Sequence, residues 1–169
     1  MIEMELVGVR VEVPGNAPVV LLRERLDGGR VLPIFIGSPE ATAIALALED
    51  VHPPRPMTHD LMVKLLETLQ ATVDRVVVTD LQDRTFYAEI ILVAGEQTIT
   101  VECRPSDGIA LAARTGSPIF AADTVLAEAA YEAEADDGDE EPVDPEEAEE
   151  MVEEFREFIE NIRPEDFEN

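Results

Sequence analysis

The strongest constraint on this chain is a pattern used twice: an apolar strand broken by a proline-containing joint that opens an Ala-rich helix. At the first joint, residues 31–36 read as a strand, Gly37-Ser38-Pro39-Glu40 breaks it, and an Ala/Ile/Leu helix follows. At the second, residues 98–103 run into Arg104-Pro105-Ser106-Asp107 and then Gly108-Ile109-Ala110-Leu111-Ala112. Each joint sets a hydroxyl and a carboxylate at a helix N-terminus, where capping and the helix dipole favour them. A hairpin precedes each joint, turning at Asp27-Gly28-Gly29 in one case and at Gly95-Glu96 in the other. The pattern predicts an α/β (α+β) fold, built from a duplicated strand–hairpin–strand–helix module on a mostly antiparallel sheet. Any chemistry is expected at the two joints.

The remaining elements follow from periodicity and punctuation. Residues 4–13 alternate apolar and polar as a half-buried strand does, and Pro14-Gly15-Asn16 turns the chain. In the first helix Ala41, Ile44, Ala45, Leu48 and Val51 recur at helical spacing, so they are expected to be its buried face. Three prolines between residues 53 and 56 form a stiff connection to a second helix, capped by Thr58. Its core face is expected to be Leu61, Leu65 and Leu69, joined by Met62 and Leu66. Residues 74–79 form a strand, Leu81-Gln82-Asp83-Arg84 a turn, and residues 85–93 its return. The helix from Ser106 should stop at Gly116, a C-terminal capping residue. A short strand at residues 117–120 and a short helix opening at Asp123 or Thr124 complete a domain of residues 1–130.

Charge separates this body from the C-terminal quarter of the chain. Residues 1–130 hold 10 basic and 19 acidic side chains, net −9, whereas residues 131–169 hold 2 and 19, net −17. Residues 131–147 read as an acidic disordered linker, residues 148–163 as an amphipathic helix and residues 164–169 as a tail. Met151, Val152, Phe155, Phe158, Ile159 and Ile162 give that helix an apolar stripe needing a partner: the body, a second subunit or another protein. Its anionic face argues against membrane docking. No apolar run is long enough to span a bilayer, and the N-terminus lacks signal-peptide character, so a cytoplasmic location is expected. The single Cys103 reads as a small buried hydrophobe. The body has no basic stripe of the kind that tracks a nucleic-acid backbone. Handling a polyanion would therefore need a divalent metal or a local arginine cluster.

The chemistry-bearing candidates are Glu40, His59, Asp60, Arg104, Ser106, Asp107 and Arg114. Taken singly, the hydroxyls Ser38, Thr58 and Ser106 are ordinary caps and the acids sit where the dipole favours them. His59, beside a carboxylate in a helix's first turn, is well placed to exchange protons. His52, among prolines, reads as a solvated loop residue. Collected together, the groups suit phosphodiester hydrolysis, which needs a positioned water, a base or metal, and positive charge for the phosphate. Glu40, Asp60 and Asp107 would hold Mg²⁺ or Mn²⁺, which prefer hard oxygen ligands. His59 would be the base, Ser106 would belong to the same site, and Arg104 and Arg114 would clamp the phosphate.

The chain also resembles a known family at these motifs. Leu32-Pro33-Ile34-Phe35-Ile36-Gly37 with Glu40-Ala41 and residues 43–47, then Arg55-Pro56-Met57-Thr58-His59-Asp60-Leu61, then Arg104 to Ala112 with Arg114, are similar to the bifunctional nuclease domain family. The resemblance spans roughly residues 1–130. Gly108 stands where the family commonly has Ala, a change expected to cost little. Resemblance implies an α/β fold with antiparallel strands, a homodimer, and a nuclease acting on RNA and DNA. The leading expectation is thus a metal-assisted nuclease; a separate, secondary expectation is that the acidic tail covers its site as a nucleic-acid mimic. The alternatives are a non-catalytic interaction module whose C-terminal helix captures a protein partner, and a binder of small anions at helix N-termini.

Overall fold

The structure, a computed structural model, describes residues 1–12, 15–25 and 29–132. Asp27 and Gly28 of the first hairpin turn, most of the predicted linker, the C-terminal helix and the tail lie outside the described residues.

The two predicted modules are present and arranged about a central strand. The first is β1 (Ile2–Glu12), β2 (Ala17–Glu24), β3 (Arg30–Phe35) and α1 (Ser38–Leu48). Helix α2 (Thr58–Thr68) leads to the second: β4 (Ala71–Gln82), β5 (Thr85–Ala94), β6 (Gln97–Cys103) and α3 (Pro105–Thr115). β7 (Ile119–Ala121), α4 (Asp123–Ala129) and β8 (Tyr131–Glu132) follow. The strands form one eight-stranded sheet in the order β6-β5-β4-β7-β1-β2-β3-β8. All pairings are antiparallel except β4 with β7. β7 therefore sits between the first strands of the two modules, antiparallel to one and parallel to the other, which sets the modules head to tail.

Both modules bulge in their first strand. The register slips between Leu6 and Gly8 in β1, and between Val73 and Arg75 and between Val78 and Asp80 in β4. Bulges bend a strand and increase its twist. Here the curvature decides the architecture: β3 and β6 are six strands apart in the sheet, about 29 Å if it were flat. Yet the joints that follow them touch, Glu40 of one against Arg104 of the other. The sheet must curl round its helices to bring them together.

The core fills that curl. Met4, Val20, Leu22, Leu32 and Ile34 of the first module meet Val76, Val78 and Ile90 of the second. Ile44 of α1, residues 109–112 of α3 and Val125 and Leu126 of α4 pack among them. α3 is the central helix, buried along Pro105, Ser106 and residues 108–112. Gly116 ends it in the left-handed conformation (φ 69°), as its sequence position predicts.

Three local expectations are corrected. Ser38, Thr58 and Ser106 are not caps: the N-cap positions are Gly37, Met57 and Arg104, and none makes a side-chain capping bond. The hydroxyls fall one or two residues inside the helix, and the third residue of each helix is instead an acid: Glu40, Asp60 and Asp107. On α1 the buried residues are Ala41, Ala43 and Ile44, while Leu48 and Val51 are exposed. On α2 the expected core face is turned outward, with Leu61 51%, Leu65 53% and Leu69 72% exposed. His59 is its one buried residue, with Val63 and Leu66 partly covered on the same side.

Candidate functional site

The three helix N-termini converge, and their third-residue acids enter two linked polar clusters. In the first, Asp107 is the hub. His59 Nε2 lies 3.2 Å from Asp107 Oδ1, while Arg104 donates from Nε to Oδ2 (2.7 Å) and from Nη2 to Oδ1 (3.0 Å). Arg104 Nη2 also lies 2.8 Å from Glu40 Oε1, so one guanidinium joins the two joints. The Glu40 carboxylate lies against Gly37: a Cβ there would overlap Glu40 Oε2, and the end of that side chain would have to shift. His59 and Glu40 are mostly buried, with side chains 10% and 15% exposed, while that of Arg104 is 66% exposed.

The electrostatics follow from these contacts. Burial pushes the Asp107 carboxyl up, but hydrogen bonds from Arg104 and His59 outweigh it and hold the group below the ordinary carboxylate range. Arg104 is held more firmly protonated by its bonds to Asp107 and Glu40. Asp107 stays ionised and accepts from the imidazole through Nε2. His59 Nδ1 makes no hydrogen bond among the described residues.

The second cluster lies one residue along α2. Arg114 Nε donates to Asp60 Oδ1 (2.6 Å) and its Nη1 to the Ala110 carbonyl (2.9 Å); the Met57 amide donates to Asp60 Oδ2 (2.8 Å). The Arg114 bond and the Met57 amide lower the Asp60 pKa. Arg114 is 11% exposed, a tie between α2 and α3 more than a free cation. With Asp50, His52 and Val63 the pair lines a cavity of about 240 Å³.

Ser106 is buried behind Arg104 and lines a separate cavity with Gly37 and Pro105. Cys103 is half-buried, and burial pushes its thiol up to about 11, as suits a small hydrophobe and not a nucleophile.

Among the described residues no three His, Cys, Asp or Glu side chains are grouped to hold an ion. Arg104 stands between Glu40 and Asp107, and Asp60 is committed to Arg114. Sequence reasoning named every member of the two clusters but not Gly37, whose missing side chain makes room for Glu40. It also passed over Arg84 and Phe35, which line the cavity with Ser106.

A curled, mostly antiparallel sheet with a histidine, two acids and an arginine at its converging helix N-termini defines a two-module α/β protein with an acid–base cluster at the module junction. The chain belongs to the bifunctional nuclease domain family, whose model matches residues 20–134. It is 50% identical over 127 residues to an uncharacterized protein of Mycobacterium tuberculosis, covering 75% of each chain. It is 26% identical over 114 residues to Bifunctional nuclease 1 of Oryza sativa subsp. indica, covering 66% of this chain and 34% of the plant protein. The aligned part is thus about a third of the plant protein's length.

Proposed function

We propose that this chain hydrolyses phosphodiester bonds in nucleic acid, with His59 as the base. The observation that carries the reading is the Asp107–His59 pair beside the exposed Arg104. A half-buried, ionised carboxylate orients an imidazole and stabilises its protonated form, the arrangement that proton abstraction from water requires. In the step we infer, the water oxygen bonds to phosphorus as its proton passes to His59 Nδ1. The bond from phosphorus to the leaving sugar oxygen breaks, and that oxygen takes a proton from solvent. Arg104 faces the phosphate oxygens while Glu40 and Asp107 hold its position. Family membership and the plant relative's name support nucleic acid as the substrate.

The test is cleavage of single-stranded RNA and DNA by wild type and by His59→Gln, in chelator and with Mg²⁺ or Mn²⁺. Loss of about 10²-fold or more in the variant, with unchanged melting, is expected of a general base. Equal cleavage by both proteins removes His59 from the mechanism, and absence of cleavage under every condition removes the nuclease reading. Dependence on added ion would mean that Glu40 or Asp107 leaves Arg104 to bind it.

We further propose that the chain is a homodimer. The outward leucines of α2, spaced i, i+4, i+8 and flanked by the exposed Met57 and Met62, support this. Light scattering should give a dimer that Leu65→Glu converts to a monomer; a monomeric wild type would dispose of it.

A further inference from the structure

The cavity that Ser106 lines is also lined by residues with no part in the acid–base cluster. It measures about 390 Å³, within the roughly 300–1,000 Å³ typical of small-ligand sites. Gly37, Arg104 and Ser106 line it together with Phe35, Phe86 and Arg84. Phe35 ends β3 with 61% of its surface exposed, although alanine-sized or polar residues would serve an exposed strand end as well. Arg84 is equally unexplained by folding. It takes the second position of the two-residue turn between β4 and β5, with φ 63° after Asp83 at 48°, where glycine is the residue without steric cost. Among the described residues its guanidinium makes no hydrogen bond or ion pair, whereas Arg104, which lines the same cavity, is shared between two carboxylates.

We propose that this cavity seats one unstacked nucleotide of a single-stranded nucleic acid. The base lies against Phe35 and the adjoining phosphate on Arg84, which places the next phosphate towards Arg104 and His59. The proposal rests on the nuclease reading and names its substrate class. Charge makes the class single-stranded and short. A body of net charge −9 offers a duplex backbone no cationic track. Aromatic stacking is insensitive to that charge and needs a base face that only an unpaired strand presents.

The experiment measures binding and cleavage in parallel. A fluorescein-labelled hexanucleotide, as single strand and as duplex, is titrated in chelator against full-length wild type, Phe35→Ala and Arg84→Gly, and the same proteins are assayed for cleavage. Arg84→Gly suits the left-handed turn, so it removes the guanidinium without threatening the fold. The expected result is single-strand binding weakened about tenfold or more in each variant, with a shallower salt dependence for Arg84→Gly. Binding that is unchanged in both variants, equal for duplex and single strand, or absent in wild type overturns the proposal. Cleavage by wild type alongside any of those results leaves the nuclease reading standing. Binding that depends on Phe35 and Arg84 without cleavage in any condition supports the seat and ends the nuclease reading.

Discussion

At the scale of single residues, two glycines are dictated by their neighbours. Gly37 leaves space for the Glu40 carboxylate beside it. Gly37→Ala is expected to drive Glu40 off Arg104, reducing any cleavage while leaving the Asp60–Arg114 pair intact; activity unaffected by the change would show that Glu40 is dispensable. Gly108 overturns a simpler expectation. It stands where alanine is common in the family, and alanine in a helix gains about 1 kcal/mol over glycine. A Cβ there, however, would lie 2.7 Å from Val76 Cγ1 and 3.2 Å from Cys103 Sγ. Val76 is fully buried and has nowhere to go, and overpacking costs about 1–3 kcal/mol. Gly108→Ala should therefore lower stability by about 1 kcal/mol in urea denaturation. A stabilised variant would mean that β4 yields more easily than its bulged register suggests.

At the scale of elements, α2 shows why a helix's apolar stripe does not reveal its buried face. His59 bonds to Asp107 and Asp60 to Arg114, both on α3, and these two ties set the rotation of the helix. His59, Val63 and Leu66 then point inward and the leucine stripe outward. Periodicity identified the stripe, but polar contacts across 48 and 54 residues of sequence chose the face. The ties also predict a pH response. Both aspartates have folded pKa values below the ordinary range. The stabilisation they confer is thus complete above the unfolded value of about 3.9 and is lost as pH falls through the lower folded values. Melting temperature should drop between about pH 5 and pH 2, less steeply in Asp60→Asn than in wild type. Parallel curves would show that the Asp60–Arg114 tie contributes nothing to folding.

For the molecule as a whole, net charge sets the conditions under which it works. With a formal charge of −26, self-repulsion is long-ranged and screened by salt, while the partly buried pairs at the helix ends are in close contact and screened less. Raising sodium chloride from about 10 mM to about 200 mM is therefore expected to raise the melting temperature, since the Debye length falls from about 30 Å to below 10 Å. A fall on adding salt would place the ion pairs, and not repulsion, in control. No helix among the described residues is long and apolar enough to cross a membrane.

The repeated strand-to-helix joints, the hairpins at Gly95 and before β3, and Gly116 as a helix stop were legible in the sequence, because turn, proline and period-two signals are local. So were the polar residues of the cluster, conspicuous as charged groups beside helix starts. Three things only the tertiary structure decided. The curl of the sheet, set by bulges in β1 and β4, brought Glu40 within reach of Arg104, far along the chain. The rotation of α2, set by its ties to α3, turned a predicted core face outward. And the partnering of each carboxylate by arginine arose because the guanidinium of Arg104 reached both Glu40 and Asp107 and that of Arg114 reached Asp60. A sequence names the groups that carry charge; which opposite charge each one meets depends on where the fold bends.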